Sequence, residues 1–348
     1  DAIDIAKKRN IYSIITLHDL YMICPSINMV YKEKYCEEDE SKDCAKCLNI
    51  RYGVNSNILN NWQKTCLDVL KRFDKIIVPS DNTKKIFNNV YKELQIETVE
   101  HGVNVIIPKR KERISKDFNI AFVGAMAIHK GSNILKDLVK KNNNSNIKIH
   151  LFGKSEDKEL EKSRENYINH GKYTRGELPQ LLVDNDIDLV CMFATWPETY
   201  SYTLTESYMA EVPILTYDIG AVGDRVKKDE LGWIINLNTS STKILEKIKE
   251  ISNNSEEYKN KKENFKKYKF KTVEEMQEYY NKLYSNIENK NEIANIYNFM
   301  EYRAKSKEFE FNQYQASYGH VVYRYEKMRS SMIWKIAKKI KGKLTRKN

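Results

Sequence analysis

Residues 187–217 read IDLVCMFATWPETYSYTLTESYMAEVPILTY. Ile187–Phe193 is a short apolar run of the kind that a strand buried on both faces requires. A second such run follows at Val212–Tyr217, and the interval between them is long enough for a loop and a helix. Strand, loop, helix and strand in this order make a unit of a parallel sheet, because parallel neighbours need a crossover.

The alternation continues outward. Strand-like runs recur at Phe118–Val123, Ile147–Phe152, Ile168–Tyr173 and Trp233–Leu237, with helical periods between them. Upstream, Ile11–Leu17, Lys75–Val78 and Thr98–Glu100 read as strands, and Ser80 is placed to cap a helix over Asp81–Val90. The polar stretch Pro108–Arg113 separates the two groups. The expected organisation is therefore α/β with two Rossmann-like domains. An N-terminal domain spans residues 1–107, with a cysteine-containing insertion at 24–66. A linker covers 108–117, a second domain 118–270, a crossover helix 271–287 and a helical extension 288–348. A complete doubly wound domain has about five or six strands. Only three precede the linker, and Asp1–Asn10 reads as the end of a helix, so the N-terminal domain is expected to be incomplete.

The length of 348 residues suits two domains, and 12 Gly and 6 Pro are too few for collagen-like or low-complexity chains. No apolar run reaches membrane-spanning length, and Asp1-Ala2-Ile3-Asp4 does not resemble a secretory leader. A cytoplasmic protein is the expectation. The net charge is +11, yet ten Lys/Arg and one acid fall between Arg324 and Asn348, which leaves the rest near neutral. Nucleic-acid binding, which spreads basic residues over a domain face, is therefore not expected.

Chemistry concentrates at Trp196–Glu206. Glu198 and Glu206 flank a loop, Thr199-Tyr200-Ser201-Tyr202-Thr203, that directly follows a strand and leads into a helix. In open α/β sheets ligands bind beyond the carboxyl ends of strands, and amides at a helix N-terminus attract anions. Carboxylates repel phosphate but accept hydrogen bonds from vicinal hydroxyls. Diphosphate on the amides with sugars on the glutamates describes a nucleotide-sugar. No Gly-x-Gly-x-x-Gly, Walker loop, HExxH or Gly-x-Ser-x-Gly occurs.

Glu198-x7-Glu206 followed by Ala210-Glu211-Val212-Pro213-Ile214 resembles the signature of glycosyltransferase family 4, the retaining group 1 transferases of GT-B fold. Phe122-Val123-Gly124 through His129-Lys130-Gly131, Pro79-Ser80, His101-Gly102-Val103-Asn104 and Thr16-Leu17-His18-Asp19 fall in matching order, so the likeness covers about residues 1–287. It implies a hexosyltransferase that moves a sugar to a glycan or lipid-linked acceptor, as in cell-surface polysaccharide assembly. It further implies that Glu198 binds hydroxyls of the transferred sugar and Glu206 the ribose. Lys130 would neutralise the diphosphate, His18 would reach the sugar across the cleft, and Gly124 with the amides of residues 199–203 would hold the donor. No metal or other cofactor is implied for catalysis. The family often carries an Arg shortly before the Lys. Ala125–Ile128 holds none, and Arg225 is a candidate substitute. A GT-B nucleotide-sugar epimerase and a non-catalytic sugar-nucleotide-binding module of a larger assembly protein are the alternative readings.

Six cysteines remain to be read. Cys191 falls in a strand and reads as core. Cys24, Cys36, Cys44 and Cys47 are clustered, and Cys44-x2-Cys47 is half a zinc motif; structural zinc, reduced thiols and disulfides all stay open. Within residues 331–344, Ile333, Trp334, Ile336, Ala337, Ile340 and Leu344 fall on one side of a helix, with lysines over most of the rest. That pattern reads as a basic amphipathic contact with an anionic membrane surface, which would place the protein peripherally on the inner face of the membrane. Docking of Trp334 and the isoleucines onto the protein's own body or a following domain is the alternative reading.

Overall fold

The computed structural model describes residues 2–37, 43–53, 58–143 and 146–285. The expected extension 288–348, its amphipathic segment 331–344 and the last residues of the crossover helix lie outside them. The first group of elements comprises α1 (Ala2–Lys8), β1 (Ile14–Thr16), β2 (Val30–Tyr31), β3 (Lys34–Tyr35), α2 (Cys44–Tyr52), α3 (Ile58–Leu70), β4 (Lys75–Val78), α4 (Asp81–Val90) and β5 (Ile96–Thr98). The second group opens with β6 (Phe118–Val123), α5 (Ser132–Lys141), β7 (Ile147–Phe152), β8 (Tyr167–Gly171), α6 (Leu178–Asp184) and β9 (Ile187–Met192). It continues through α7 (Tyr202–Met209), β10 (Ile214–Tyr217), α8 (Gly220–Asp229), β11 (Gly232–Ile235), α9 (Ser241–Asn253), α10 (Ser255–Asn264) and α11 (Val273–Ser285).

The second group forms a six-stranded parallel sheet in the order β11-β10-β9-β6-β7-β8. Its inner strands are buried on both faces, which is why they read as largely apolar runs. Along β6, Ile120 and Phe122 join one core cluster while Ala121 and Val123 join the other. The order reverses between β6 and β9, so their carboxyl ends splay apart into the crevice where such sheets bind ligands. The first group forms a three-stranded parallel sheet, β1-β4-β5, over its own core. Ser80 caps α4 as its side chain accepts from the Thr83 amide. Several expected bounds shift. The first strand shortens to Ile14–Thr16, the third lies at Ile96–Thr98 rather than Thr98–Glu100, and the strand expected at Ile168–Tyr173 runs Tyr167–Gly171. Helix α3, whose first part fell inside the expected insertion at 24–66, buries Cys66 and Leu70 in the first domain's core. Among the described residues no helix is long and apolar enough to cross a membrane.

The stretch expected as a polar linker is strapped to the second domain. Arg113 forks onto Asp188 at 2.7 and 2.9 Å, Asp186 accepts the amides of Ile114 and Ser115, and Arg110 pairs with Glu211. The return crossing is α11, where the Tyr280 hydroxyl meets Thr16 Oγ1 at 3.3 Å and Tyr279 bonds Glu97 of the first sheet. The two crossings touch: Val103 bridges Thr272, and a Cβ on Gly102 would stand 2.4 Å from the Thr272 carbonyl oxygen.

One buried pair sets an acid limit on the fold. His150, 4% exposed, faces His170 with Nδ1 and Nε2 2.9 Å apart. Burial pushes the His150 pKa down to about 4 and that of His170 down as well. The unfolded chain therefore binds more protons than the folded one between about pH 6.5 and pH 4. The stabilising term is complete above pH 6.5 and is lost as pH falls, by about 1.4 kcal/mol per pH unit for a fully linked proton. Urea melts at pH 7 and pH 5 should show this loss, with a shallower slope for His150→Phe; equal slopes would locate the acid sensitivity elsewhere.

Candidate active site

Two loops meet at the reversal point of the six-stranded sheet. After β6, Gly124 turns the chain at φ +92° and a short 3₁₀ turn, Ile128–Lys130, carries the lysine. After β9, Trp196–Ser201 leads into α7. The Thr195 amide donates to the His129 carbonyl at 2.9 Å, which ties the loops together. Gly131, at φ +87°, lies so close to β9 that a Cβ would stand 2.7 Å from the Phe193 carbonyl oxygen. Only glycine allows this approach, and it carries Lys130 with it.

Lys130 Nζ donates to Glu198 Oε1 at 2.6 Å and lies 5.5 Å from the centre of the Trp196 ring. The Glu198 side chain is only 10% exposed, so the ion pair is largely desolvated on the carboxylate side. The backbone of Glu198 is fixed from below, where its carbonyl accepts from the Ala221 amide at the start of α8.

The loop between the glutamates is held from both domains. Thr199 Oγ1 donates to the His18 carbonyl at 2.6 Å, and the Tyr200 hydroxyl donates to the His101 carbonyl at 3.1 Å. Ser201 sits at φ +90°, unfavourable for a residue with a Cβ, and its Oγ caps α7 by accepting from Leu204. Ser201→Ala should therefore cost about 1 kcal/mol through the lost cap, while Ser201→Gly, which also relieves the backbone, should melt close to the parent. Thermal melts of both test this; equal losses would mean that the strain carries no cost.

Glu206 projects from α7 and accepts the Gly176 amide at 3.1 Å. Burial raises its pKa. It lines a cavity of about 380 Å³ with Asn104, Arg175, Gly176, Tyr202 and Thr205. The ring of Tyr202 carries Arg175 at 4.7 Å and stacks with His101, which stacks in turn with His18 at 5.0 Å. The result is a continuous column from the first sheet to the cavity beside Glu206. Burial, with His18 and Arg225 nearby, pushes His101 down to about 4, so its ring is neutral at neutral pH.

The sequence-derived residues thus separate into two neighbouring groups. Glu198 and Lys130 are paired at the sheet's crevice, with Gly124 and the 199–203 loop beside them; Glu206 lies one cavity away. His18 reaches the loop through its carbonyl and the column through its ring. Arg225 supports the loop rather than joining Lys130. Its guanidinium donates to the Ser201 carbonyl at 3.4 Å and Thr205 Oγ1 at 2.9 Å, and it lies 4.6 Å from the Tyr200 ring centre. Arg175 and Gly176 are additions that sequence reasoning missed, their one signal being that residues 174–176 follow a strand end. His101 was read only as part of the 101–104 stretch, and its ring contacts are new. Two slightly larger cavities, about 420 and 400 Å³, both border Arg225 and include neither Lys130 nor the glutamates.

Residues 105–271 match the family described as glycosyl transferases group 1. The structure is similar to that of Anabaena Alr3699/HepE in complex with UDP and glucose, with a TM-score of 0.60 and 13% identity, covering 82% of this chain and 74% of that one. Sucrose-phosphate synthase from Thermosynechococcus elongatus gives 0.58 and 15%, over 82% and 70%. S. aureus TarM in complex with Fondaparinux, alpha-GlcNAc-glycerol and UDP gives 0.54 and 18%, over 79% of this chain and 51% of its own. At these identities the likeness is one of fold, and the fold is the GT-B architecture. No curated protein sequence matches the chain.

Proposed function

We propose that this chain, whose residues 105–271 match the group 1 glycosyl transferases, is a retaining hexosyltransferase of family 4. It would move a sugar from a nucleotide-sugar to a glycan or lipid-linked acceptor in cell-surface polysaccharide assembly, on the cytoplasmic side of the membrane. One observation carries the reading: the Lys130–Glu198 pair, an amide loop at a helix N-terminus and Glu206 lie in sequence around the point where the sheet order reverses. Structures of the same fold that hold UDP support a nucleotide-sugar donor.

In this reading the ribose hydroxyls bond Glu206, with the base toward Arg175 and Gly176. The diphosphate lies against the amides of residues 200–203. Glu198 accepts hydroxyls of the transferred sugar and holds Lys130 toward the bridging phosphate. As the bond from the anomeric carbon to the phosphate oxygen breaks, the acceptor hydroxyl bonds to the same face and its proton passes to the departing phosphate. Lys130 and the amides oppose the charge that gathers there. Neutral His101 packs the column without adding charge, and His18 borders the sugar from the first domain.

Thermal-shift titration with UDP-, GDP-, dTDP- and CDP-sugars tests the donor assignment, with a shift expected for one base. No shift with any of them would overturn it. Product formation that requires an added acceptor separates transfer from epimerisation.

A further inference from the structure

Four of the six cysteines line one small cavity away from the crevice. Cys24 closes the turn after the His18 loop, its amide bonded to the Leu20 carbonyl at 2.9 Å. Cys36 directly follows β3, its amide bonded to the Met29 carbonyl at 2.8 Å. Cys44 and Cys47 occupy the first and fourth positions of α2, on one side of the helix. All four border a single small cavity of about 20 Å³, whose other walls include Ser26, Tyr31 and Leu48. That volume suits one small guest, about a water molecule or an ion. Cys66 and Cys191 are buried elsewhere, in the cores of the first and second domains.

The backbone around this cavity carries a second sign. Ile27, Met29, Lys32 and Glu33 have φ of 65°, 51°, 47° and 67°, and none is glycine. Left-handed backbone is rare for side-chain-bearing residues, above all a β-branched one. Met29, Val30, Tyr31 and Tyr35 are buried, while Ile27, Ile50 and Tyr52 on the outer side are exposed. A hairpin with four such residues keeps its form when its surroundings over-determine it. Two contacts already run from α2 back to this loop, Arg51 to the Val30 carbonyl and Tyr52 to the Pro25 carbonyl, at 2.9 and 2.8 Å.

We propose that Cys24, Cys36, Cys44 and Cys47 hold a structural zinc ion. Four thiolates from one helix start and two loops meet the tetrahedral preference of zinc, with bonds of about 2.3 Å. Soft sulfur ligands disfavour magnesium and calcium. Among the described residues no group of three or more His, Cys, Asp or Glu side chains is placed to hold a metal ion, so binding requires the four sulfurs to move inward. Each thiol releases a proton, and zinc affinity is coupled to ordering of the hairpin and α2. The site anchors both ends of a functional segment. Cys24 lies six residues beyond His18, and the hairpin turn reaches the second domain, where Asn133 donates to Glu33 at 3.3 Å. This inference is independent of the sugar-transfer reading.

The full chain, purified under reducing conditions without added metal, should carry about one zinc per molecule. Cys44→Ser/Cys47→Ser should lose it, while Cys66→Ser and Cys191→Ser should keep it. A strong chelator should release the ion, expose four further thiols to a thiol reagent and lower the melting temperature, and zinc salt alone should restore all three. Should the double variant fail to fold, the release and restoration on the wild-type chain decide the matter. Three results would overturn the proposal: a chain free of zinc that takes up none when titrated, a mass lower by the hydrogens of a disulfide, or zinc content unchanged in the double variant.

Discussion

Lys130→Ala should lower the rate of sugar transfer by about 10²–10³-fold while changing donor affinity only a few-fold, the magnitude of one lost electrostatic donor in a closed site. No Arg stands in Ala125–Ile128, and Arg225 is committed to the Ser201 carbonyl and Thr205. The burden on Lys130 is correspondingly large. Its removal also leaves the Glu198 carboxylate, 10% exposed, without its cation. Part of the loss would therefore pass through Glu198, whose buried carboxylate would be left unpaired. Lys130→Arg should recover part of the rate, because the charge returns with a different reach. Single-turnover kinetics at saturating donor, with circular dichroism to verify the fold, make the measurement. An alanine variant that turns over at close to the wild-type rate would remove Lys130 from the reaction.

Glu206→Gln should weaken nucleotide-sugar binding by about 10–100-fold, the cost of about 1.5–3 kcal/mol for a hydrogen bond to a charged group. Glutamine can still accept the Gly176 amide, so the fold should hold and the loss should appear in affinity. Burial raises the Glu206 pKa. As pH falls, the wild-type carboxylate thus takes up its proton earlier than an ordinary glutamate, and donor affinity should decline in step. Glu206→Gln, with no carboxylate to protonate, should lack that part of the decline. Titration calorimetry at two pH values reads both effects. Equal affinity of variant and wild type at neutral pH would detach Glu206 from the donor.

Legibility in the sequence followed the range of the interactions. Residues 118–123 and 147–152 form strands with the expected bounds because both faces of each are buried, so most positions are apolar despite Asn119, Lys148 and His150. Ser80 was readable as a cap because capping acts over three residues. The short strand at Ile96–Thr98 slid by two positions because it lies at a sheet edge, where polar Glu97 and Thr98 are tolerated. The glutamates and their loop were visible because they form one contiguous segment. Arg175 meets Tyr202, and His101 meets Tyr202 and His18, only after separate elements are folded together. No local pattern encodes such contacts. Arg225 was found as a cation but not as a loop support, since its partners lie 20 to 125 positions away.

The touching crossings at Gly102 and Thr272 bear on how such chains can be recombined. A donor-side domain grafted from a relative must enter with two junctions, one before the strap at 108–117 and one after α10. The residues that meet at those junctions come from opposite ends of the transplant. A hybrid that takes the 102–103 stretch from one parent and 272–276 from the other has to rebuild an approach that leaves no space for a Cβ. Shuffling of donor specificity in this architecture is therefore expected to succeed when both seams are inherited together, and to yield poorly folded hybrids when they are not.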